Sequence, residues 1–363
     1  MQLTQQFFWK NHNPPPPASY SMMTYQFDFP CACEFDRQPA LFRHLPGDFL
    51  VEEELGFELT GTGDHLWLLV EKKEMNTIDA ARILAKMTDS NIHEIGYAGL
   101  KDKRAVTRQW FSVKSAADLA EPNESIGSFK ILAQKRNARK LRKGSHRNNH
   151  FVITLKDIEM DESVIASLSE NLSVKGVPNY FGLQRFGNSE NNMLKAEALL
   201  AGKLGKIPRF QRGIYLSAAR SYLFNSVLAA RVKDNNWDQF VNGDVMALAG
   251  TSSVFKAQQD DDALQSRLSS LDIHPTGPMW GAGELTSSND VQEFENAIAD
   301  KYPILAQGLA AAGLKQERRS LRLIPEKLTI RPAGDRELVV EFSLPSGTYA
   351  TSVLREIVVA PGL

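Results

Sequence analysis

The most constraining feature of this chain is a change of pattern that later reverses. Short apolar runs typical of strands occupy residues 41–175, helical patterns dominate residues 176–323, and strand patterns return afterwards. A strand-rich region that is interrupted and then resumed is typical of one domain inserted into another. The sequence therefore predicts an α+β fold in which residues 36–175 and 324–363 form one domain and residues 176–323 form an insertion.

The individual elements follow from apolar periodicity and from capping and turn residues. Strands are predicted at residues 49–53, 65–70, 95–99, 109–113, 129–133, 150–155, 327–330 and 337–342. A helix is predicted to begin at Asn76 or Thr77, and further helices cover residues 163–172, 190–201, 214–233, 291–298, 304–311 and 351–359. The four prolines at residues 14–17 indicate that residues 1–35 form a disordered tail.

The composition excludes several classes of protein. Apolar residues make up 42% of the 363 residues, and no run approaches the roughly 18 apolar residues of a membrane span. The first residues lack the pattern of a secretion signal, so the expected location is the cytoplasm. Only two cysteines, Cys31 and Cys33, are present, which excludes a disulfide framework. A structural zinc ion usually needs four ligands, so a single C-x-C pair is a weak indication of zinc and no metal site is predicted.

Positive charge is concentrated in one segment although the net charge is only −1. Residues 130–156 contain nine lysines and arginines and no acidic residue. Phosphate backbone is the commonest partner of such a segment, and a solvated basic face is the alternative. The residues predicted to contact an RNA backbone are Arg136, Arg139, Lys140, Arg142 and Lys143, together with Lys101 and Lys103.

One acidic residue lies among cations where an apolar strand ends. Asp102 stands between Lys101 and Lys103 in residues 99–109 (GLKDKRAVTRQ). Neighbouring cations favour the ionised carboxylate, which is suited to act as a nucleophile or a general base. The alternative is an ordinary turn aspartate in solvent. No Ser/His/Asp pattern, metal-ligand cluster or phosphate-binding glycine loop competes with Asp102 elsewhere in the sequence.

Four segments resemble the tRNA pseudouridine synthase D family, and the resemblance extends over residues 41–357. The segments are residues 99–109 (GLKDKRAVTRQ), 175–187 (KGVPNYFGLQRFG), 216–225 (LSAARSYLFN) and 344–352 (LPSGTYATS). The resemblance implies a pseudouridine synthase catalytic core, which is a mixed, mainly antiparallel sheet flanked by helices, with an inserted, largely helical domain. It also implies isomerisation of uridine 13 of tRNA by a monomer, with Asp102 as the catalytic nucleophile and with no metal or nucleotide cofactor.

The same resemblance implies which residues bind the substrate. The target base is expected to flip into an aromatic pocket, with substrate contacts from Phe49, Asn149 and Tyr349. Phe151 lies on the same side of its strand as Asn149 and is expected to cover the base, and Arg43 is expected to pair with Asp102. The alternatives are core positions for both phenylalanines and a turn or cap position for Asn149. The hydroxyl of Tyr349 is expected to be incidental, because family members often have Phe there.

Two other functions are alternatives to the isomerase. An RNA-binding protein that had lost the chemistry would not need an aspartate in the K-D-K motif. A carboxylate-dependent hydrolase would need a second, well-placed acid, and the sequence shows no paired-acid pattern. Residues 184–186 and Arg220 suit either a hinge between domains or contacts to RNA phosphates, and the sequence does not separate these roles.

Overall fold

The computed structural model describes residues 24–33, 35–115, 117–119, 125–187, 191–258 and 262–363. The strands are β1 (Gln38–Pro39), β2 (Phe49–Glu54), β3 (His65–Lys73), β4 (Gly96–Tyr97), β5 (Val106–Lys114), β6 (Ser125–Ile126), β7 (Phe129–Asn137), β8 (Asn148–Lys156), β9 (Val177–Pro178), β10 (Val245–Leu248), β11 (Val254–Lys256), β12 (Ile273–Met279), β13 (Glu317–Ser320), β14 (Arg322–Leu323), β15 (Glu326–Pro332), β16 (Glu337–Pro345) and β17 (Val358–Val359). The α-helices are α1 (Thr77–Met87), α2 (Glu162–Lys175), α3 (Asn191–Leu200), α4 (Arg209–Lys233), α5 (Asp262–Ser269), α6 (Asn289–Asp300), α7 (Pro303–Ala311) and α8 (Ala350–Leu354).

The largest sheet joins strands from both strand-rich parts of the sequence. Its order within the described residues is β15-β16-β8-β2-β5-β3-β7-β6, with β4 paired to β5. Only the β2–β5 pair is parallel, and the other pairs are antiparallel. The predicted α+β class with a mixed, mainly antiparallel sheet is confirmed. The domain limits at residues 36, 175, 176, 323 and 324 stay a prediction.

The register of strands β2 and β8 brings several residues of the cavity described below to one face of this sheet. In β2, Phe49, Val51 and Glu53 are buried while the intervening residues are half-buried, as the period of a strand requires. Glu53 lies opposite Asn149 of β8 and Val51 lies opposite Phe151. Directly paired residues point to the same face of a sheet, so these side chains are neighbours.

Helix α1 covers part of the same face and begins where the sequence predicts. The side chain of Asn76 accepts a hydrogen bond from the backbone N–H of Asp79 at 2.9 Å, which caps the first turn. Apolar residues of α1 pack against buried residues of β3, β5 and β7, including Leu68, Phe111 and Ile131. The start of α1 is thereby fixed above the loop that carries Asp102.

The inserted region contains the predicted helices and also a small sheet. Strands β11, β10, β12 and β13 form an antiparallel sheet in that order. This sheet is not predicted from the sequence, because β12 contains Pro275, Gly277 and Pro278, which are normally turn residues. Helix α4 packs its buried face against β12 and helices α3 and α7. No helix in the described part of the chain is long and apolar enough to cross a bilayer.

Two terminal predictions need correction. Disorder up to residue 35 is wrong for residues 24–33, because Phe29 stacks on Tyr180 with ring centroids 5.3 Å apart and is buried. Glu356 accepts hydrogen bonds from the backbone of Ala32 at 2.8 Å and Cys33 at 2.9 Å. Residues 1–23, which include the predicted polyproline tail, lie outside the described residues.

The predicted helix over residues 351–359 is too long. Helix α8 ends at Leu354, and β17 pairs in parallel with β1. The β-branched residues Val358 and Val359 favour this extended pairing over a continued helix. The chain end is thereby held beside residues 38–39, close to the beginning of the described sequence.

Candidate active site

Every residue predicted to contact the substrate lines one cavity. The cavity has a volume of about 230 Å³, and the predicted residues in its wall are Arg43, Phe49, Asp102, Asn149, Phe151 and Tyr349. A drug-sized pocket typically has roughly 300–1,000 Å³, so this cavity suits a smaller planar group such as one nucleobase. The structure therefore brings together residues that are up to 306 positions apart in the sequence, from Arg43 to Tyr349.

The carboxylate of Asp102 is fixed by Arg43. Arg43 Nη2 lies 2.7 Å from Asp102 Oδ2, and the guanidinium lies 4.0 Å from the centroid of the Phe49 ring. The ring therefore holds the cation in place by a cation–π contact while the cation holds the acid. Arg43 has a positive φ of 56°, which is unfavourable for a residue with a side chain and is typical of functional sites.

Lys101 lies beneath the cavity. Its ammonium lies 2.9 Å from Glu53 Oε1, donates to Asn149 Oδ1, and is almost completely buried. Burial lowers the pKa of Lys101 and raises the pKa of Glu53, and the contact between the two side chains opposes both shifts. The predicted role of Lys101 as an RNA-backbone contact is wrong, because its ammonium is enclosed between these two partners.

The loop that carries Asp102 is held by buried hydrogen bonds. The backbone N–H of Lys101 donates to Thr77 Oγ1 at 2.9 Å, and Gln109 Nε2 donates to the carbonyl of Gly99 at 2.6 Å. Thr77 and Gln109 are themselves bonded at 3.1 Å. The start of α1 and strand β5 therefore clamp residues 99–101 on both sides, which fixes the position of the acid that follows.

A second buried cation lies behind the same loop. Lys72 Nζ donates to the carbonyl of Met75 at 2.6 Å and to the carbonyl of Asp102 at 3.5 Å. Burial lowers the pKa of Lys72 to about 8. Lys72 is not among the predicted site residues, because a lysine near the end of a strand is normally exposed.

Aromatic rings form the apolar wall of the cavity. Phe49 and Phe151 pack with ring centroids 6.0 Å apart, and both also belong to the hydrophobic core. The two phenylalanines therefore belong to the hydrophobic core and line the cavity at the same time. Tyr349 also lines the cavity, and its ring contacts Phe181 at 5.8 Å between centroids. A base in this cavity would therefore meet apolar surface from three aromatic rings.

The hydroxyl of Tyr349 has a hydrogen-bond partner, and its expected lack of a functional role stays a prediction. It accepts a hydrogen bond from Arg185 Nη2, and Arg185 Nη1 donates to Ser217 Oγ at 3.1 Å. Arg185 and Gln184 also line the cavity. Arg220, by contrast, donates to the carbonyls of Met279 at 2.8 Å and Trp280 at 3.0 Å, so it stabilises the inserted region.

Some residues of the cavity wall had no assigned role in the sequence analysis. They include Leu100, Leu183, Thr348 and Thr351. Leu100 lines the cavity although its side chain is 68% exposed. The sequence feature that could have identified these residues is their position, because they lie inside the segments 99–109, 175–187 and 344–352.

The predicted RNA-backbone residues differ in their environment. Lys103, Arg139, Lys140, Arg142 and Lys143 are exposed. Arg136 is mostly covered, and its Nε lies 2.6 Å from Asp118 Oδ1. A cation already paired with a carboxylate is a weaker phosphate ligand, so the five exposed cations are the better candidates.

The two cysteines are held as thiols. Burial raises the pKa of Cys31 to about 11 and that of Cys33 to about 12, and the carboxylate of Glu356 adds to both shifts. Across the residues that the structure describes, no group of three or more His, Cys, Asp or Glu side chains is arranged to hold a metal ion.

The protein has the fold of a pseudouridine synthase, in which a further region is inserted into the catalytic domain. It matches a crystal structure of a Methanosarcina mazei protein assigned as a tRNA pseudouridine synthase D, with a TM-score of 0.74 and 21% identity, over 91% of this chain and 96% of that one. That likeness concerns the fold alone, and sequence comparison gives the family.

The family model for tRNA pseudouridine synthase D matches residues 38–208 and 191–357. A relative named tRNA pseudouridine synthase D from Nitrosococcus oceani is 42% identical over 349 residues, covering 94% of this chain and 95% of the relative. One from Pseudomonas putida is 43% identical over 323 residues, covering 88% and 91%. The chain belongs to the tRNA pseudouridine synthase D family, which is a family of isomerases.

Proposed function

We propose that this chain isomerises uridine 13 of tRNA to pseudouridine, with Asp102 as the catalytic nucleophile. The observation that carries the proposal is the pairing of Asp102 with Arg43 in the wall of an aromatic cavity of nucleobase size. The names of the relatives support tRNA as the substrate. The expected working form is a cytoplasmic monomer that needs no nucleotide cofactor.

The reaction requires one bond to break and another to form at the same ribose carbon. The carboxylate of Asp102 either attacks C1′ or removes the proton on C2′, and in both cases the bond between C1′ and N1 breaks with uracil leaving as an anion. The base then rotates and forms a bond from C5 to C1′. As this bond forms, the ester bond between Asp102 and C1′ breaks or the proton returns to C2′, so the carboxylate is regenerated, and the proton on C5 is lost while N1 is protonated. Substrate and product are isomers, so atoms and electrons balance without an oxidant or a transferred group.

The cavity offers a specific donor to the base. Because Asn149 Oδ1 accepts from Lys101, the amide Nδ2 is left to donate to a carbonyl oxygen of uracil. Phe49, Phe151 and Tyr349 supply apolar surface for the two faces of the ring. The base reaches this cavity only after leaving its stack in the RNA, and the apolar walls compensate part of that unstacking.

The decisive experiment compares Asp102→Asn with the wild type on tRNA that lacks the modification. Pseudouridine at position 13 is mapped by carbodiimide labelling and primer extension, and RNA binding is measured separately. We expect turnover to fall below detection while the Kd for tRNA stays within a few-fold of wild type. The matched control is Asp89→Asn, because Asp89 is exposed beyond the end of α1 and Asn tolerates its positive φ of 46°.

Two outcomes would contradict the proposal. A normal rate in Asp102→Asn would exclude the carboxylate as nucleophile. Tight tRNA binding by the wild type without any pseudouridine at position 13 would exclude the reaction or the position, and would favour an RNA-binding protein.

A further inference from the structure

A second groove lies next to the connection between β7 and β8, in the middle of the basic segment 130–156. It has a volume of about 880 Å³, and its wall includes Phe57, Trp67, Arg139, Lys140 and Arg142. None of these residues contributes to the cavity that contains Asp102. The pseudouridine synthase reaction described above therefore leaves this groove without a function.

An aromatic ring is presented to solvent in this groove. Phe57 is 46% exposed, whereas the neighbouring Trp67 is buried. The two rings are nearly perpendicular, at 87°, with centroids 6.0 Å apart. Trp67 is in turn fixed, because its indole N–H donates to the carbonyl of Arg139 at 2.9 Å. The exposed ring is thus supported from behind by a rigid partner.

The wall around this ring is already hydrogen-bonded. Asn137 Oδ1 accepts from the backbone N–H of Thr60 at 3.1 Å, and Asn137 Nδ2 donates to the carbonyl of Arg139 at 3.2 Å. Ser145 Oγ donates to the carbonyl of Arg142 at 2.6 Å. These bonds preorganise the groove and leave the aromatic face and the cationic side chains as its means of binding.

The charge of the groove favours an anionic ligand. Arg139, Lys140 and Arg142 are exposed there, and Glu58 is the acidic residue in the wall. The imidazole of His65 adds no positive charge at neutral pH, because burial and the neighbouring Lys140 lower its pKa. Three cations against one carboxylate, beside an exposed ring, are the combination by which proteins bind single-stranded nucleic acid.

The chain itself connects this groove to the active-site cavity. Residues 138–147 run along the end of the main sheet. They are held there because the backbone N–H of Gly144 donates a hydrogen bond to the carbonyl of Ala98 at 2.7 Å. Asn149 follows two residues after this segment. Asn149 is seven positions after Arg142 in the sequence, so their Cα atoms are at most about 25 Å apart. Nucleotides flanking a base bound in the cavity can reach across that distance.

From these observations we propose that the groove at Phe57 is a second RNA-binding site, which stacks one unpaired base of the substrate several nucleotides from the target. This inference rests on the proposed function for the identity of the RNA. Recognition is by ring stacking and phosphate contacts, so it tolerates different bases at the stacked position. The site binds RNA and takes no part in the chemical step.

The test uses the full-length protein and unmodified tRNA carrying 2-aminopurine at one unpaired position at a time. The fluorescence of this base is quenched by stacking on an aromatic ring. Wild type is compared with Phe57→Leu, which keeps an apolar contact to Trp67, and with Phe57→Trp, which keeps a ring. Val174→Ala serves as a control for an exposed apolar residue on a different element, at the end of α2.

We expect quenching at one position with wild type and Phe57→Trp and its loss with Phe57→Leu. The Kd for tRNA should rise about 5- to 150-fold in Phe57→Leu, the range that one stacked base gives on truncation. The value of kcat at saturating tRNA should stay within twofold of wild type. A Kd within twofold of wild type, or the absence of any Phe57-dependent quenching, overturns the second site.

Failure of this inference and failure of the proposed function are distinguishable. If the wild type forms pseudouridine at position 13 but Phe57→Leu binds tRNA normally, only the second site is wrong. If the quenching depends on Phe57 but no pseudouridine forms, the site stands and the reaction is wrong. An acidic peptide can also be added as a competitor of tRNA binding. If it displaces tRNA from the wild type, and Phe57→Leu binds tRNA as tightly as the wild type does, the groove binds a protein partner and the second RNA-binding site is wrong.

Discussion

Lys101 donates a hydrogen bond to the amide oxygen of Asn149, so the amide group faces the cavity with its nitrogen as the remaining donor. The orientation of this amide cannot be predicted from the sequence alone. A fixed donor suits the carbonyl oxygens of uracil and would oppose the amino group of cytosine. Under the proposed function, Lys101 would therefore act in base recognition by orienting Asn149.

Asn149→Asp tests this donor. The aspartate keeps the contact with Lys101 and offers only acceptors to the base, so kcat/KM should fall about 10- to 150-fold, the value of one hydrogen bond to a charged or buried partner. The measurement is steady-state pseudouridine formation on unmodified tRNA. Asn91→Asp is the control, since Asn91 caps an exposed turn in which aspartate serves equally well. Equal kcat/KM in Asn149→Asp and wild type would refute the assigned donor.

Lys101→Met tests the buried ion pair. The change leaves the carboxylate of Glu53 buried without its cation, so the free energy of unfolding should fall by about 3–5 kcal/mol. Urea unfolding measures this loss. Arg82→Ala breaks an exposed pair with Asp79 and should cost less than about 1 kcal/mol.

A double variant separates stability from activity in this pair. Glu53→Leu combined with Lys101→Met removes both charges, so much of the lost stability should return. Activity should remain low, because nothing then orients Asn149. A double variant with wild-type activity would show that the pair has only a structural role.

Tyr349→Phe removes a hydroxyl and keeps the ring. Arg185 loses one acceptor, so the KM for tRNA should rise about 3- to 10-fold while kcat stays near wild type. The double-mutant cycle with Arg185→Met gives the decisive reading, because the hydroxyl should have no further effect once the guanidinium is gone. Additive effects of the two changes would mean that Tyr349 acts on the substrate directly.

The pH dependence of stability should report on His146. This imidazole is buried beside the loop at Gly99, and burial together with Lys101 lowers its pKa to about 4 from the usual 6.5. Between pH 6.5 and about pH 4, the imidazole of His146 binds a proton in the unfolded chain but not in the folded chain. The free energy of unfolding therefore falls as the pH falls, by up to about 1.4 kcal/mol per pH unit.

The variant His146→Gln isolates this contribution. Its free energy of unfolding, measured in urea from pH 7 to pH 4, should fall less steeply than that of the wild type. The exposed His93 provides the comparison, and His93→Gln should follow the wild-type curve. Parallel curves for wild type and His146→Gln would show that His146 titrates alike in the folded and unfolded states.

Local patterns and motif strings predicted a large part of this structure. The alternation in β2 and the Asn76 cap of α1 are visible in a few residues each. The identity of Asp102 as the acid of interest came from its neighbours and from the segment 99–109. These features depend on short-range sequence, which is why they could be read without coordinates.

Other features depend on partners that are distant in sequence. Lys101 looks like an exposed charge in the K-D-K motif, and only the register of β2 against β8 and β5 places Glu53 beneath it. The packing of residues 24–33 depends on Tyr180 and Glu356. Periodicity within one segment contains no information on such pairings.

The pairing of β16 with β8 has a consequence for how the protein is made. Asn149 lies opposite Leu344, so the strand that carries part of the active site has an unpaired edge until the ribosome has synthesised residues 337–345. Residues 24–33 are synthesised long before Glu356 and cannot dock on it until then. Chains that stop short of these residues therefore present open strand edges and unburied aromatic rings, so the candidate active site is complete only after β16 and Glu356 have been synthesised.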